Sequence, residues 1–136
     1  MRHLLLLLAF SLSTFFVNAQ DNRLDPDSIQ GKPVLKLEAG HDMELGEVHY
    51  EDSVYVEVKF TNTGKGELII SNVRTSCSCT KVTYPEKGVK PGASAVIGLW
   101  YKANDDVNRG YSQIRIHYNS EMSPAFVNLS ATIVLD

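Results

Sequence analysis

The sequence predicts an all-β protein built as a sandwich of antiparallel sheets, on two observations. From Pro33 to the C-terminus, apolar and polar residues alternate at period two in short runs bounded by turn formers. Over the same stretch nothing carries the three-to-four-residue apolar spacing of a helix.

The segment before Pro33 is of another kind. In MRHLLLLLAFSLSTFFVNAQ, Arg2 and His3 precede an apolar run from Leu4 to Phe10, which continues through Val17 diluted by Ser11, Ser13 and Thr14. This is the layout of a secretory signal peptide, and Val17-Asn18-Ala19 supplies the small residue at the cleavage position. The uninterrupted run is much shorter than the roughly 20 residues that span a bilayer. Residues 1–19 therefore read as a cleaved signal, and the product as secreted or periplasmic with no membrane insertion after cleavage. No cysteine lies near the cut to accept a lipid. Removing residues 1–19 leaves 117 of the 136 residues and takes away Arg2, which moves the formal charge from −3 to −4. That length is one ordinary domain. A mildly acidic chain with no basic run does not suit nucleic acid. Residues 20–32, QDNRLDPDSIQGK, are polar and rich in turn formers, and read as a flexible lead-in to a domain at 33–136.

Within the domain each strand has its own warrant. PVLKL follows the lead-in. In VYVEVKF, Val54, Val56, Val58 and Phe60 share one face and Tyr55, Glu57 and Lys59 the other. Asn62-Thr63-Gly64, with Gly66, turns the chain into ELIISNV, where Leu68 and Ile70 share a face. A shorter strand is expected around Thr80–Tyr84. Lys90-Pro91-Gly92 fits a type II turn, proline presetting its own φ and glycine supplying the positive one. SAVIGLWY then alternates Ala95, Ile97, Leu99 and Tyr101. YSQIRIHY offers Ile114, Ile116 and Tyr118, and AFVNLSATIVL offers Val127, Leu129, Ala131, Ile133 and Leu135. About seven antiparallel strands in some 100 residues are the pattern of an immunoglobulin-like β-sandwich. The staple of antibody-type domains joins cysteines distant in sequence. Here the only two are Cys77 and Cys79, so packing must hold the sheets together.

LGEV at 45–48, FTNTG at 60–64, LIISNVRTSCSCT at 68–80, VKPG at 89–92 and the closing strands together resemble the domain of unknown function 1573 family. The resemblance runs from about Leu45 to Ile133. It implies an exported bacterial protein with an immunoglobulin-like sandwich, similar to modules of pilus chaperones and cilia-associated proteins that mostly bind other proteins, and it implies no established activity. The family motif more often reads Cys-Gly-Cys, so Ser78 departs from it and excludes a backbone angle that only glycine tolerates.

Cys77 and Cys79 are the first candidate site. In an extended strand, residues two apart lie about 6.5 to 7 Å from each other, and a disulfide needs its Cβ atoms within about 4.5 Å. The pair can bond only where the chain bends sharply between them. Three readings stay open: a local bridge or buried thiols that fix structure, a redox-active pair beside Arg74 and Lys81, or half of a copper(I) or zinc site needing ligands from elsewhere. His41, His49 and His117 are the histidines of the domain, and none lies at a local ligand spacing from the cysteines. They read as solvated surface residues.

The second candidate is a face. The alternation that buries Ile97 and Leu99 sends Val96 and Trp100 to the opposite side, and tryptophan is a favoured interface anchor. A loop or the lead-in covering it would make it core instead. Elsewhere, Asn104, Asp106 and Asn108 alternate as in a calcium loop, but the glycine comes one position late and Arg115 stands where the bidentate glutamate belongs, so a polar hairpin explains them better. Asn128-Leu129-Ser130 matches the glycan acceptor pattern inside an expected strand. No Gly-x-Ser-x-Gly elbow, phosphate loop or His-Glu-x-x-His is present, and no cofactor is called for. The expectation is a non-catalytic interaction or structural module whose partner is another envelope or extracellular protein, with a thiol redox or soft-metal protein as the alternative. Oligomeric state is open. Intact mass measurement of the exported protein should return an N-terminus at Gln20, in open or cyclised form. A secreted form that retains Leu4 to Phe16 would contradict the signal-peptide reading.

Overall fold

The computed structural model describes residues 31–104 and 110–135, so the expected signal peptide, most of the lead-in, and Asp106 and Asn108 of the calcium-like run lie outside the described residues. Eight strands are described: β1 (Leu35–Leu37), β2 (Asp42–His49), β3 (Ser53–Asn62), β4 (Ile70–Thr75), β5 (Thr80–Thr83), β6 (Ser94–Lys102), β7 (Tyr111–Tyr118) and β8 (Ala125–Val134). They form two four-stranded sheets, ordered β1-β3-β6-β5 and β2-β8-β7-β4. The immunoglobulin-like sandwich expected from the alternation is the observed architecture.

The strand added to the expected set is β2. Residues 38–41 carry the chain from the first sheet to the second, so one N-terminal segment contributes β1 to the first and β2 to the second. There β2 runs parallel to β8, while the other strand pairs are antiparallel. A bulge between Glu44 and Glu47 interrupts its register. The inward residues therefore fall at Met43, Leu45 and then Val48, a spacing in which period two is lost.

Inward side chains from both sheets meet in the main core. Val58, Phe60, Ile97 and Leu99 come from the first sheet, and Ile70, Ile114, Ile116, Tyr118, Val127 and Leu129 from the second. Each such side chain contributes on the order of 2 kcal/mol when taken out of water. Leu68 and Val89, in the connections, close one side through an isolated bridge to each other, so the strand expected from Glu67 begins only at Ile70. Leu135 departs from the expected inward set: it lies past the last residue of β8 and is exposed. The turn at Lys90-Pro91-Gly92 has its expected form, with Gly92 at φ 79° and Ala93 N donating to Lys90 O at 3.0 Å.

One buried polar residue organises an end of the sandwich. Asn62, the last residue of β3, is fully buried. Its Nδ2 donates to Gly66 O at 2.7 Å and Val89 O at 2.9 Å, while its Oδ1 accepts from Gly64 N at 3.0 Å and Val34 N at 3.2 Å. One amide thus joins the entry to β1, the turn after β3 and the loop before β6. Asn62→Ala leaves several backbone groups in dry surroundings without partners, and each costs about 1–3 kcal/mol. Denaturant unfolding of this variant should show a loss of at least about 3 kcal/mol, with some preparations failing to fold.

Candidate functional site

Between Thr75 in the second sheet and Thr80 in the first, only Ser76 to Cys79 are available to cross. The chain manages this by folding sharply at Ser78. The Cα atoms of Cys77 and Cys79 lie 5.1 Å apart, closer than an extended pair, and the two sulfurs form a disulfide. Thr75 Oγ1 and Thr80 N both donate to Cys77 O, at 2.9 and 3.3 Å, and Cys79 N donates to Cys77 Sγ at 3.1 Å. Each end is also tied to a different sheet. Ser76 N donates to Gln113 O on β7 at 2.9 Å, Ser76 Oγ accepts from Gln113 N at 2.9 Å, and Cys79 O accepts from Lys102 N on β6 at 2.8 Å. Ser78 is exposed and has no positive φ, so this backbone bend does not need glycine.

The bridge faces inward. Cys77 is 6% and Cys79 7% exposed, and they pack in a second apolar cluster with Val48, Tyr101 and Ala103, flanked by Leu45, Val54, Ala131 and Ile133. Burial pushes the pKa of the Tyr101 phenol above its ordinary value, so it stays neutral in this cluster. Beside it, Thr80 Oγ1 donates to Ser112 Oγ at 3.1 Å, both residues buried. With the sulfurs bonded to each other, this form of the protein offers no thiolate. Among the described residues, no group of three or more His, Cys, Asp or Glu side chains converges, so none of His41, His49 and His117 completes a ligand set with the pair. His41 Nδ1 lies 2.8 Å from Phe126 O, and His117 sits half-buried on β7 opposite Asn72. The flanking cations separate: Arg74 is on β4 in one sheet and Lys81 on β5 in the other.

The second candidate lies against the first. On the outer face of the first sheet, register places Tyr55, Trp100 and Lys81 side by side across β3, β6 and β5, with Glu57, Gly98 and Thr83 in the next row and Lys59 and Val96 beyond. Trp100 is 49% exposed and its ring lies 4.7 Å from that of Tyr55. Tyr55 extends over Gly98: a Cβ there would lie 2.9 Å from the phenol oxygen and 2.6 Å from Thr83 Oγ1, so a side chain at this position would push both aside. The phenol donates to Glu57 Oε1 at 3.4 Å, and desolvation, then the Glu57 charge, raise its pKa and keep it a donor. Val96 is only half-buried, on the same outer face. A pocket of about 270 Å³ opens between Trp100, Lys81 and Lys102 on the sheet and Ser78 and Cys79 of the crossover, with Ser53 and Asn104 at its end. Nothing in the local sequence links the cysteine loop to the tryptophan face. Their adjacency follows from the pairing of β5 with β6, which no local signal announces.

Asn128 of the glycan-like motif is engaged within the sheet: its Nδ2 donates to Asp42 Oδ1 at 2.8 Å and its Oδ1 accepts from Tyr111 Oη at 2.9 Å.

A ring closed over two residues removes little chain entropy, so the bridge should contribute less than the roughly 3 kcal/mol expected for a fifteen-residue loop. The double variant Cys77→Ala, Cys79→Ala should stay folded and soluble, with an unfolding free energy lowered by about 1–2 kcal/mol. Single replacement leaves one buried thiol unpaired, which should resist alkylation in the folded protein and react only on unfolding. Stoichiometric copper or zinc in the reduced wild type, absent from the double variant, would instead favour a metal-handling role.

No curated protein matches the chain. Among solved structures it is similar to a protein of unknown function from Porphyromonas gingivalis W83, with 15% identity and a TM-score of 0.64, over 76% of this chain and 48% of that one. It is also similar to the secreted serine protease VesC of Vibrio cholerae, at 16% identity and a TM-score of 0.54, covering 79% of this chain and 24% of that one. The Vibrio cholerae protease VesB gives 13% identity and a TM-score of 0.52, over 81% and 34%. The chain thus spans less than half the length of each, and the likeness is one of fold. The family described as "Protein of unknown function (DUF1573)" matches residues 37–133, which takes in the crossover, the tryptophan face and every strand from Leu37 to Ile133, and the chain belongs to that family.

Proposed function

We propose that this chain is an exported, non-catalytic protein-interaction module of the bacterial cell envelope, and that it meets its partner with the outer face of the β1-β3-β6-β5 sheet around Trp100. The observation that carries this reading is the large aromatic side chain left 49% exposed, braced by Tyr55 and set at the lip of the pocket beside Cys79. A half-exposed tryptophan on a rigid strand loses little conformational freedom when it is covered. The pocket, about 270 Å³, lies at the low end of ligand sites and has room for one protruding side chain of a protein. Lys81 and Lys102 at its rim favour a carboxylate in that side chain. Export rests on the N-terminal residues 1–19, and the partner is another envelope or extracellular protein.

The burial and mutual bonding of Cys77 and Cys79 support a structural role for the pair over the redox alternative: an attacking thiolate needs access to sulfur, and these sulfurs lie in an apolar cluster. In this reading the bridge shapes one wall of the pocket.

Trp100→Ala should weaken capture of the partner from envelope extract about 30-fold or more, and lower folding stability by no more than about 1 kcal/mol. Lys81→Glu with Lys102→Glu should weaken capture without loss of stability. A Trp100→Ala variant that unfolds readily yet captures its partner unchanged would show that Trp100 is core and overturn the reading. Fractionation that leaves the protein in the cytoplasm would remove its premise.

A further inference from the structure

The outer face of the other sheet is divided by charge. At one edge β2 presents Asp42, Glu44 and Glu47, all exposed. Toward the opposite edge, β7 and β4 carry Arg115 and Arg74, exposed and directly opposite each other in register. Like charges facing across a strand pair repel. Among the described residues neither arginine has an acidic partner; Arg115 Nε donates to Gln113 Oε1 at 3.3 Å. Between the two edges Phe126 and Tyr111 remain 41% and 43% exposed. A hydrogen-bonded row stiffens the face, running from Arg115 through Gln113 and Asn128 to Asp42.

We propose that a second copy of this chain occupies this face, with the two sheets stacked about a two-fold axis parallel to the strands. A face that is acidic at one edge and basic at the other is complementary to itself under that rotation, which sets β2 of each copy over β4 of the other. The perpendicular in-plane axis would set β2 on β2 and acid on acid. With the axis between β7 and β8, Arg115 of each copy also comes over Phe126 of the other, because the two are register partners on these neighbouring strands. A guanidinium over an aromatic face is attractive. Arg74 comes within its own length of Asp42 of the second copy, and the aligned packing of sandwich sheets keeps these edges superposed. Four strands of about eight residues present on the order of 500 Å² in projection, so a dimer buries about 1,000 Å², near the lower limit for a specific interface. The dimer is accordingly weak and sensitive to salt. This surface is separate from the Trp100 face, which stays open in the dimer.

Sedimentation velocity on protein produced from the full chain, from about 1 µM to about 1 mM, tests the proposal. The expected result is a monomer–dimer equilibrium that weakens as ionic strength rises from about 0.05 M to about 0.5 M. Arg74→Glu alone and Asp42→Lys alone should each raise the dissociation constant about tenfold or more, since every substitution falls twice in a two-fold interface. An equal mixture of the two variants should dimerise again, because both contacts are then of opposite charge, and this recovery also shows that both variants are folded. A monomer at all concentrations, a dimer that neither reversal affects, or a mixture no tighter than its components would each overturn the proposal. So would a monomer whose Arg74→Glu variant loses capture of some other exported protein.

Discussion

Every inward residue of a period-two strand needs an apolar partner on the facing sheet, and here that requirement is met chiefly by Phe60, Ile97 and Leu99 against Ile114, Ile116, Val127 and Leu129. No covalent link joins the two sheets across this layer. The ends of the layer therefore carry weight. At one end Asn62 closes the space between β3 and the connections around it with four side-chain hydrogen bonds. At the other, the Cys77–Cys79 bridge and Tyr101 fill the gap where the chain passes from β4 to β5. A polar plug and a sulfur plug do the same job by different chemistry: the first satisfies backbone groups that the turn leaves bare, and the second shortens a crossover of four residues.

Because the core fixes which residues turn inward, it fixes the outward faces as well, and these differ. The first sheet presents Trp100 and Tyr55 over Gly98 with lysines at the rim of an adjoining pocket. The second presents an acidic edge, an aromatic middle and a basic edge. A sandwich has two such faces, on opposite sides of its core. The peptide that bends between the cysteines supplies a wall of the pocket beside Trp100, so a residue pair buried in the packing also borders a surface.

The strands with unbroken alternation, 54–60, 95–101, 114–118 and 127–133, were legible in the sequence because sheet geometry imposes its period on the side chains directly. The turn at Lys90-Pro91-Gly92 was legible because proline and glycine constrain single φ angles. β2 was not, since a bulge moves its inward set from Leu45 to Val48 and erases the period; its parallel pairing with β8 joins segments some eighty residues apart. Asn62 was readable as a turn residue but not as a buried hub, because its partners at Val34 and Val89 are brought to it only by the folded chain. The sequence by itself determined the all-β class, the identity of the core faces and the outward position of Trp100, all of which depend on neighbours within a few residues. Tertiary structure alone decided that the cysteine loop and Trp100 share one pocket and that Arg74 meets Arg115, because lateral strand order and register depend on contacts between distant segments.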